Sequence, residues 1–152
     1  GGNDLCRCGN RGCLEASASG WAIRRELNKL GYRVETSADI VQLALEGNDD
    51  AVALIERAGR LIGESLADLV GLINPELILV GGNLADATEP LLRGMREVVT
   101  ERSQPLSVGS LQILRSKLGA SAGVIGAALL AQAAALNPES EPSQRGVSVG
   151  NS

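Results

Sequence analysis

Apolar residues recur at helical spacing along most of this chain. The longest stripe is Ala51, Leu54, Ile55, Ala58, Leu61, Ile62, Leu66, Leu69, Val70 and Ile73, and positions three or four apart fall on one helix face. The spacing predicts a helix that starts near Asp49. Asn74-Pro75 ends it, because the residue before a proline is pushed out of helical geometry. Leu14, Ala18, Trp21, Ala22, Arg25 and Leu27 predict another helix over 14–30, with Gly31 as its stop. A short helix, capped by Ser37 or Asp39, runs to Leu45 before the Gly47-Asn48 break. Leu77-Ile78-Leu79-Val80 lies between Pro75 and Gly81-Gly82 and reads as a strand buried on both faces. Glu89 to Glu101 is a helix with Pro90 in its first turn, and Ser110 to Arg115 alternates as a second strand. Ala120 to Leu136 is a helix of small residues ended by Asn137-Pro138. Residues 1–13 form a Gly/Cys-rich loop, and residues 138–152 form a polar tail rich in Ser, Pro, Glu and Gly.

Strand, helix, strand, helix predicts an α/β fold with a small, mostly parallel sheet. Two or three strands make a poor sheet alone. The chain also opens on Gly1-Gly2-Asn3-Asp4 with no initiator methionine. The expectation is therefore a piece of a longer protein whose upstream part completes the sheet.

Composition narrows the reading. The hydrophobic content of 44% permits a core, and that core must be aliphatic because Trp21 and Tyr32 are the only aromatic residues. A net charge of −4 with no Lys/Arg run argues against a nucleic-acid-binding module within this segment. No run of about 18 apolar residues predicts a membrane span, and no signal peptide is visible.

The chemistry gathers at one end. Cys6, Cys8 and Cys13 are the only cysteines, in the spacing C-x-C-x4-C. A Cys6–Cys8 disulfide would close a very tight ring and leave Cys13 over. A shared metal in a reducing, cytoplasmic setting explains the trio better than pairing does, and better than three unremarkable buried cysteines. Three thiols leave one tetrahedral position, and the chain has no histidine. A fourth ligand would come from upstream sequence, from a carboxylate such as Asp4, or from water. Glu15 follows directly. Read alone, it is an acidic residue favoured in a first helical turn. Gly81-Gly82, between strand and helix, reads either as a tight turn or as backbone N–H groups offered to a phosphate.

Leu5-Cys6-Arg7-Cys8-Gly9-Asn10-Arg11-Gly12-Cys13-Leu14-Glu15 resembles the C-x-C-G-x-x-G-C-x-E signature of the ROK family (repressors, open reading frames and kinases). The likeness continues through Ile78-Leu79-Val80-Gly81-Gly82 and from Lys117 to Ala128, and spans roughly residues 1–135. The resemblance implies the C-terminal lobe of an actin-like (ribonuclease H-like) fold over 14–137, with a zinc-binding loop over 1–13 at its start. It implies structural zinc on Cys6, Cys8 and Cys13, with the fourth ligand a histidine upstream in a Glu-x-Gly-His segment that this sequence lacks. It implies a sugar or sugar derivative bound between two lobes, its hydroxyls held by Glu15, and usually a homodimer.

In the family's kinases Gly81, Gly82 and Gly119 would line an ATP/Mg site, together with Gly123 and Gly126. Those kinases tend to carry a third glycine and a small polar residue where this chain has Asn83-Leu84. The two side chains are expected to crowd a nucleotide, and no lysine or arginine lies between Arg60 and Arg93 to offset this. The family's catalytic aspartate belongs to the N-terminal lobe, and Asp68 reads as a solvated residue. The expectation is the sugar-sensing part of a transcriptional repressor that meets DNA only through an N-terminal domain outside this chain. The alternative is the C-terminal lobe of a sugar kinase. A bare zinc-bearing dimerisation module is a third reading.

Overall fold

The predicted long helix spans Asp49–Ile73 in a computed structural model that describes residues 3–82, 84, 88–103 and 110–136. Preceding it are α1 (Leu14–Ala18), α2 (Gly20–Lys29) and α3 (Ser37–Leu45), so the long helix is α4. β1 (Leu77–Val80), α5 (Thr88–Arg102) and β2 (Gln112–Arg115) follow. The described residues divide into two units at Ala120/Ser121, and the second carries α6 (Ala122–Leu136). The polar tail over 138–152 lies outside the described residues.

Local chemistry sets the boundaries. The Asn48 side chain accepts from Ala51 N at 3.0 Å and caps α4. Asn74 closes it in the left-handed region, φ 44°, with its N–H on the Val70 carbonyl at 3.0 Å. The helix expected over 14–30 is two. Ser19 is extended at ψ 165° and its hydroxyl accepts from Ala22 N, so it ends α1 and caps α2 at once. The Ser19-Gly20 pair combines a residue that competes for backbone hydrogen bonds with one of low helix propensity. Neither Ser37 nor Asp39 caps α3. Thr36 does, accepting from Asp39 N while the Asp39 carboxylate accepts from Thr36 N at 2.8 Å, a capping box.

The main packing event in the first unit is α4 against α5. The face α4 buries is made mostly of small residues, Ala51, Ala58, Gly59, Gly63 and Ala67, together with Ile55 and Val70. α5 answers with Leu91, Leu92, Met95, Val98 and Val99. The helices meet backbone to backbone. A Cβ on Gly59 would collide with the Leu91 carbonyl oxygen, one on Gly94 with the Glu56 carbonyl oxygen, and one on Gly63 would sit 2.9 Å from the Met95 oxygen. Ile23, Leu27, Val34 and Ile40 complete the core from α2, α3 and the segment between them.

β1 and β2 pair in parallel, with Leu77 opposite Gln112 and Val80 opposite Arg115. Arg96 of α5 donates to the Ile113 carbonyl at 2.9 Å and ties helix to sheet. β1 is not buried on both faces within this chain. Ile78, Val80 and Ile113 pack against the core, whereas Leu77, Leu79 and Leu114 are 49%, 59% and 42% exposed on the other side. Among the described residues of the first unit, helices pack on one side of this two-stranded sheet, and the apolar side chains of the other side stay open. α6, taken by itself, is apolar all round, with Gln132 its single polar side chain. Among the described residues no helix is long and apolar enough to cross a membrane.

Candidate functional site

The segment before α1 folds into a knuckle because two glycines adopt backbone angles that other residues avoid. Gly9 has φ 89° and Gly12 φ 75°. Cys6 N donates to the Asn10 carbonyl at 2.8 Å, Gly9 N to the Cys6 carbonyl at 3.0 Å and Gly12 N to the Asp4 carbonyl at 3.1 Å. Leu5 and Arg11 bridge as an antiparallel pair. The turn brings all three sulfurs within 4.8 Å of one another, with Cys8 Sγ and Cys13 Sγ 3.6 Å apart. A tetrahedral ion with ~2.3 Å metal–sulfur bonds needs sulfurs ~3.8 Å apart. The spacing fits a metal ion.

The thiols differ in acidity. The Asn10 backbone N–H, then Cys13 and Cys6, stabilise a thiolate on Cys8 and lower its pKa. The Cys13 thiol is pushed up to about 11, first by donating to Cys8 and then to Cys6. Cys8 is the exposed member of the trio, Cys13 is half-buried and Cys6 is buried. Asp4 is not a ligand in this arrangement. Its carboxylate faces Arg25 at 3.2 Å, and among the described residues no fourth ligand joins the three sulfurs.

Cys13 is the N-cap residue of α1, and its side chain makes no cap hydrogen bond. The same residue thus ends the cysteine knuckle and starts the helix whose first turn holds Glu15. Glu15 is exposed, and among the described residues it makes no hydrogen bond or ion pair. An open polar pocket of about 290 Å³ is lined among others by Cys13, Ser17, Glu64, Ser65, Asp68 and Arg102, and Glu15 is not part of its lining. Asp68 is exposed, as read from the sequence, yet it borders this pocket. No single stretch of sequence signals that, since the lining comes from the loop, α1, α4 and α5.

Gly81, Gly82 and Gly119 lie at the C-terminal ends of the two parallel strands, the edge where α/β sheets hold ligands. Ser116 N donates to the Val80 carbonyl at 2.8 Å, and a Cβ on Gly81 would meet Ser116 Cβ at 3.8 Å, so the two turns are neighbours. Gly82 has φ 100° and Gly119 φ 50°, both left-handed. Leu84, expected to crowd this edge, is half-buried against the core. Its side chain packs on the core beside Gly20, because an apolar group here finds cover against α2. Asn83 lies outside the described residues. The absence of a cation between Arg60 and Arg93 also does not leave this edge without one, because Lys117 adjoins Ser116 on the neighbouring turn.

A model of the ROK family matches residues 2–134. The chain belongs to the ROK family. Glucokinase of Thermotoga maritima is 33% identical over 139 residues, which cover 82% of this chain and 44% of the relative. The DNA-binding transcriptional dual regulator NagC of Escherichia coli K12 is 33% identical over 143 residues, 88% of this chain and 35% of the relative. A solved ROK family transcriptional regulator, a homolog of the E. coli MLC protein, matches with TM-score 0.66 at 31% identity, over 74% of this chain and 31% of its own. The chain spans less than half the length of each of these relatives. Kinase and regulator relatives are matched at the same identity.

Proposed function

We propose that this chain is the sugar-sensing C-terminal lobe of a ROK-family transcriptional regulator. The observation that carries the reading is the junction at Cys13, where the last thiol of a metal knuckle is also the N-cap of the helix bearing Glu15. An ionised carboxylate accepts hydrogen bonds and donates none, so it can grip adjacent sugar hydroxyls. Metal on Cys6, Cys8 and Cys13 fixes the backbone from which that carboxylate projects. We assign the metal as structural zinc, which suits thiolate ligands and closed tetrahedral sites. Its fourth ligand comes from outside the three cysteines. The protein acts as a cytoplasmic homodimer, and sugar binding shifts DNA-binding segments outside this chain. Asn83, which stands where the family's kinases tend to carry a third glycine, supports sensing over phosphoryl transfer.

A kinase is the second reading. It is favoured by the packing of Leu84 on the core and by Lys117 on the turn next to Gly81-Gly82. The test is calorimetry of the intact protein against glucose, N-acetylglucosamine and xylose, together with a coupled ATP-consumption assay on the same sugars. Sugar binding without turnover is expected. Turnover near ~1 s⁻¹ or above would make the protein a kinase, and no binding to any sugar would remove both readings.

A further inference from the structure

We propose that Arg7 and Trp21 form a latch that holds the cysteine knuckle closed on α2 and slows loss of its metal; this rests on the metal reading above. Arg7 is the one residue between the first two thiols, Cys6 and Cys8. Its guanidinium lies over the Trp21 ring, 4.9 Å from the centroid. Arg7 is exposed, and among the described residues it makes no hydrogen bond or ion pair, so the indole face is what holds it. Arg25 lies over the same ring at 5.1 Å and is held by Glu26 at 2.9 Å and by Asp4 at 3.2 Å. Asp4 in turn accepts through its carbonyl from Gly12 N, inside the knuckle, at 3.1 Å.

The contacts therefore close a circuit. The chain leaves the knuckle at Cys13, passes through α1 and turns at Ser19. It then presents Trp21 back to the residue that sits between two ligands. A metal ion leaves by shedding one thiolate at a time, and Cys8, the exposed one, is free to swing first. A backbone movement that carries Cys8 outward also pulls its neighbour Arg7 from the ring. Partners that orient ligands from behind typically change metal affinity 10–100-fold when removed, and this pair is placed to act in that way.

The experiment loads the intact protein with zinc and follows its capture by a colorimetric chelator. Arg7→Met keeps the stem and removes the charge, and Trp21→Ala removes the ring. Both are expected to release zinc about tenfold faster. Trp21→Phe, which keeps an aromatic face, is expected to stay near the parent rate. Chelation should also change the emission of Trp21, the one tryptophan of this sequence. Release from Arg7→Met at the parent rate, with the protein folded by circular dichroism, overturns the latch. The exposed Arg7 position decides the matter even if Trp21→Ala fails to fold. A parent that takes up no zinc at all removes the metal reading and the latch together.

Discussion

Replacing Gly94 by alanine tests the packing of α4 on α5 more directly than any core truncation. Gly94 lies under α4, where an added Cβ would collide with the Glu56 carbonyl oxygen, 2.9 Å from Arg60 N and 3.2 Å from Glu56 C. All three are backbone atoms and cannot rotate away. Ordinary carbon–oxygen contacts lie at ~3.3–3.6 Å, so the helices must part by roughly 1 Å. A gap of that size forfeits about a quarter to a half of each dispersion contact along the seam. Overpacking of this kind costs ~1–3 kcal/mol and occasionally more, and the rigid backbone places this site at the upper end. Alanine's better helix propensity returns about 1 kcal/mol. The net expectation is a loss of about 2 kcal/mol. Gly71→Ala is the control, because nothing lies within 4 Å of a Cβ there. It should gain ~0.4–1 kcal/mol, since only the unfolded chain loses freedom. At ~2–4 °C per kcal/mol for a protein of this size, thermal scans should show the two variants moving in opposite directions. Gly94→Ala as stable as the parent would mean that the helices do not meet through their backbones.

Four other outcomes are expected. Cys13→Ser should abolish stoichiometric zinc in metal analysis, because it removes one of three thiols. Zinc uptake near neutral pH should release protons into weak buffer, Cys13 contributing one because its thiol, at about 11, is still protonated there. Glu15→Ala should weaken sugar binding by ~1–3 kcal/mol in calorimetry, the cost of unpaired polar partners, with the melting temperature nearly unchanged. Acid should destabilise the fold through carboxylates held below their ordinary range. Asp39 is held by the backbone N–H groups of Glu35 and Thr36, and Glu56 by Arg93. Their contribution is fully present above the unfolded-state values near ~4 and is lost as pH falls through the lower folded-state values. Asp39→Asn should therefore be less stable than the parent at pH 7, with the gap narrowing in acid during urea titrations.

Helix α4 was legible because its apolar stripe is long and both ends carry strong signals. Asn48 accepts from Ala51 N, and Asn74-Pro75 cannot continue a helix. The break at Ser19 was not, since the apolar spacing of Leu14 to Leu27 runs through it. Only the Ser-Gly pair marks the point where the chain turns to aim Trp21 back at Arg7. Periodicity also hides what Gly59, Gly63 and Gly94 do. Glycine inside a helix reads as a cost of ~1 kcal/mol, and its benefit exists only where a second helix touches it.

The cysteine knuckle was legible for a different reason: all its determinants are local. Three thiols, two left-handed glycines and the carboxylate on the next helical turn sit within ten residues, and their spacing alone forces convergence. The strand-end edge shows the opposite case. Reading along the chain from Gly81, the next cation is Arg93, twelve positions later on α5. Parallel pairing instead sets Val80 against Arg115 and brings the turn holding Ser116 and Lys117 alongside. Leu84, close to the glycines in sequence, packs beside Gly20 because burial stabilises an apolar side chain more than exposure does. Crowding and charge at a parallel edge are set by the register between strands, so residues counted between two positions of one strand describe the wrong neighbours. The same register is why a Lys117→Ala substitution bears on the kinase reading. If phosphate from ATP is handled at this edge, that change should raise the ATP KM. If the protein only senses sugar, it should leave sugar affinity in calorimetry where it was.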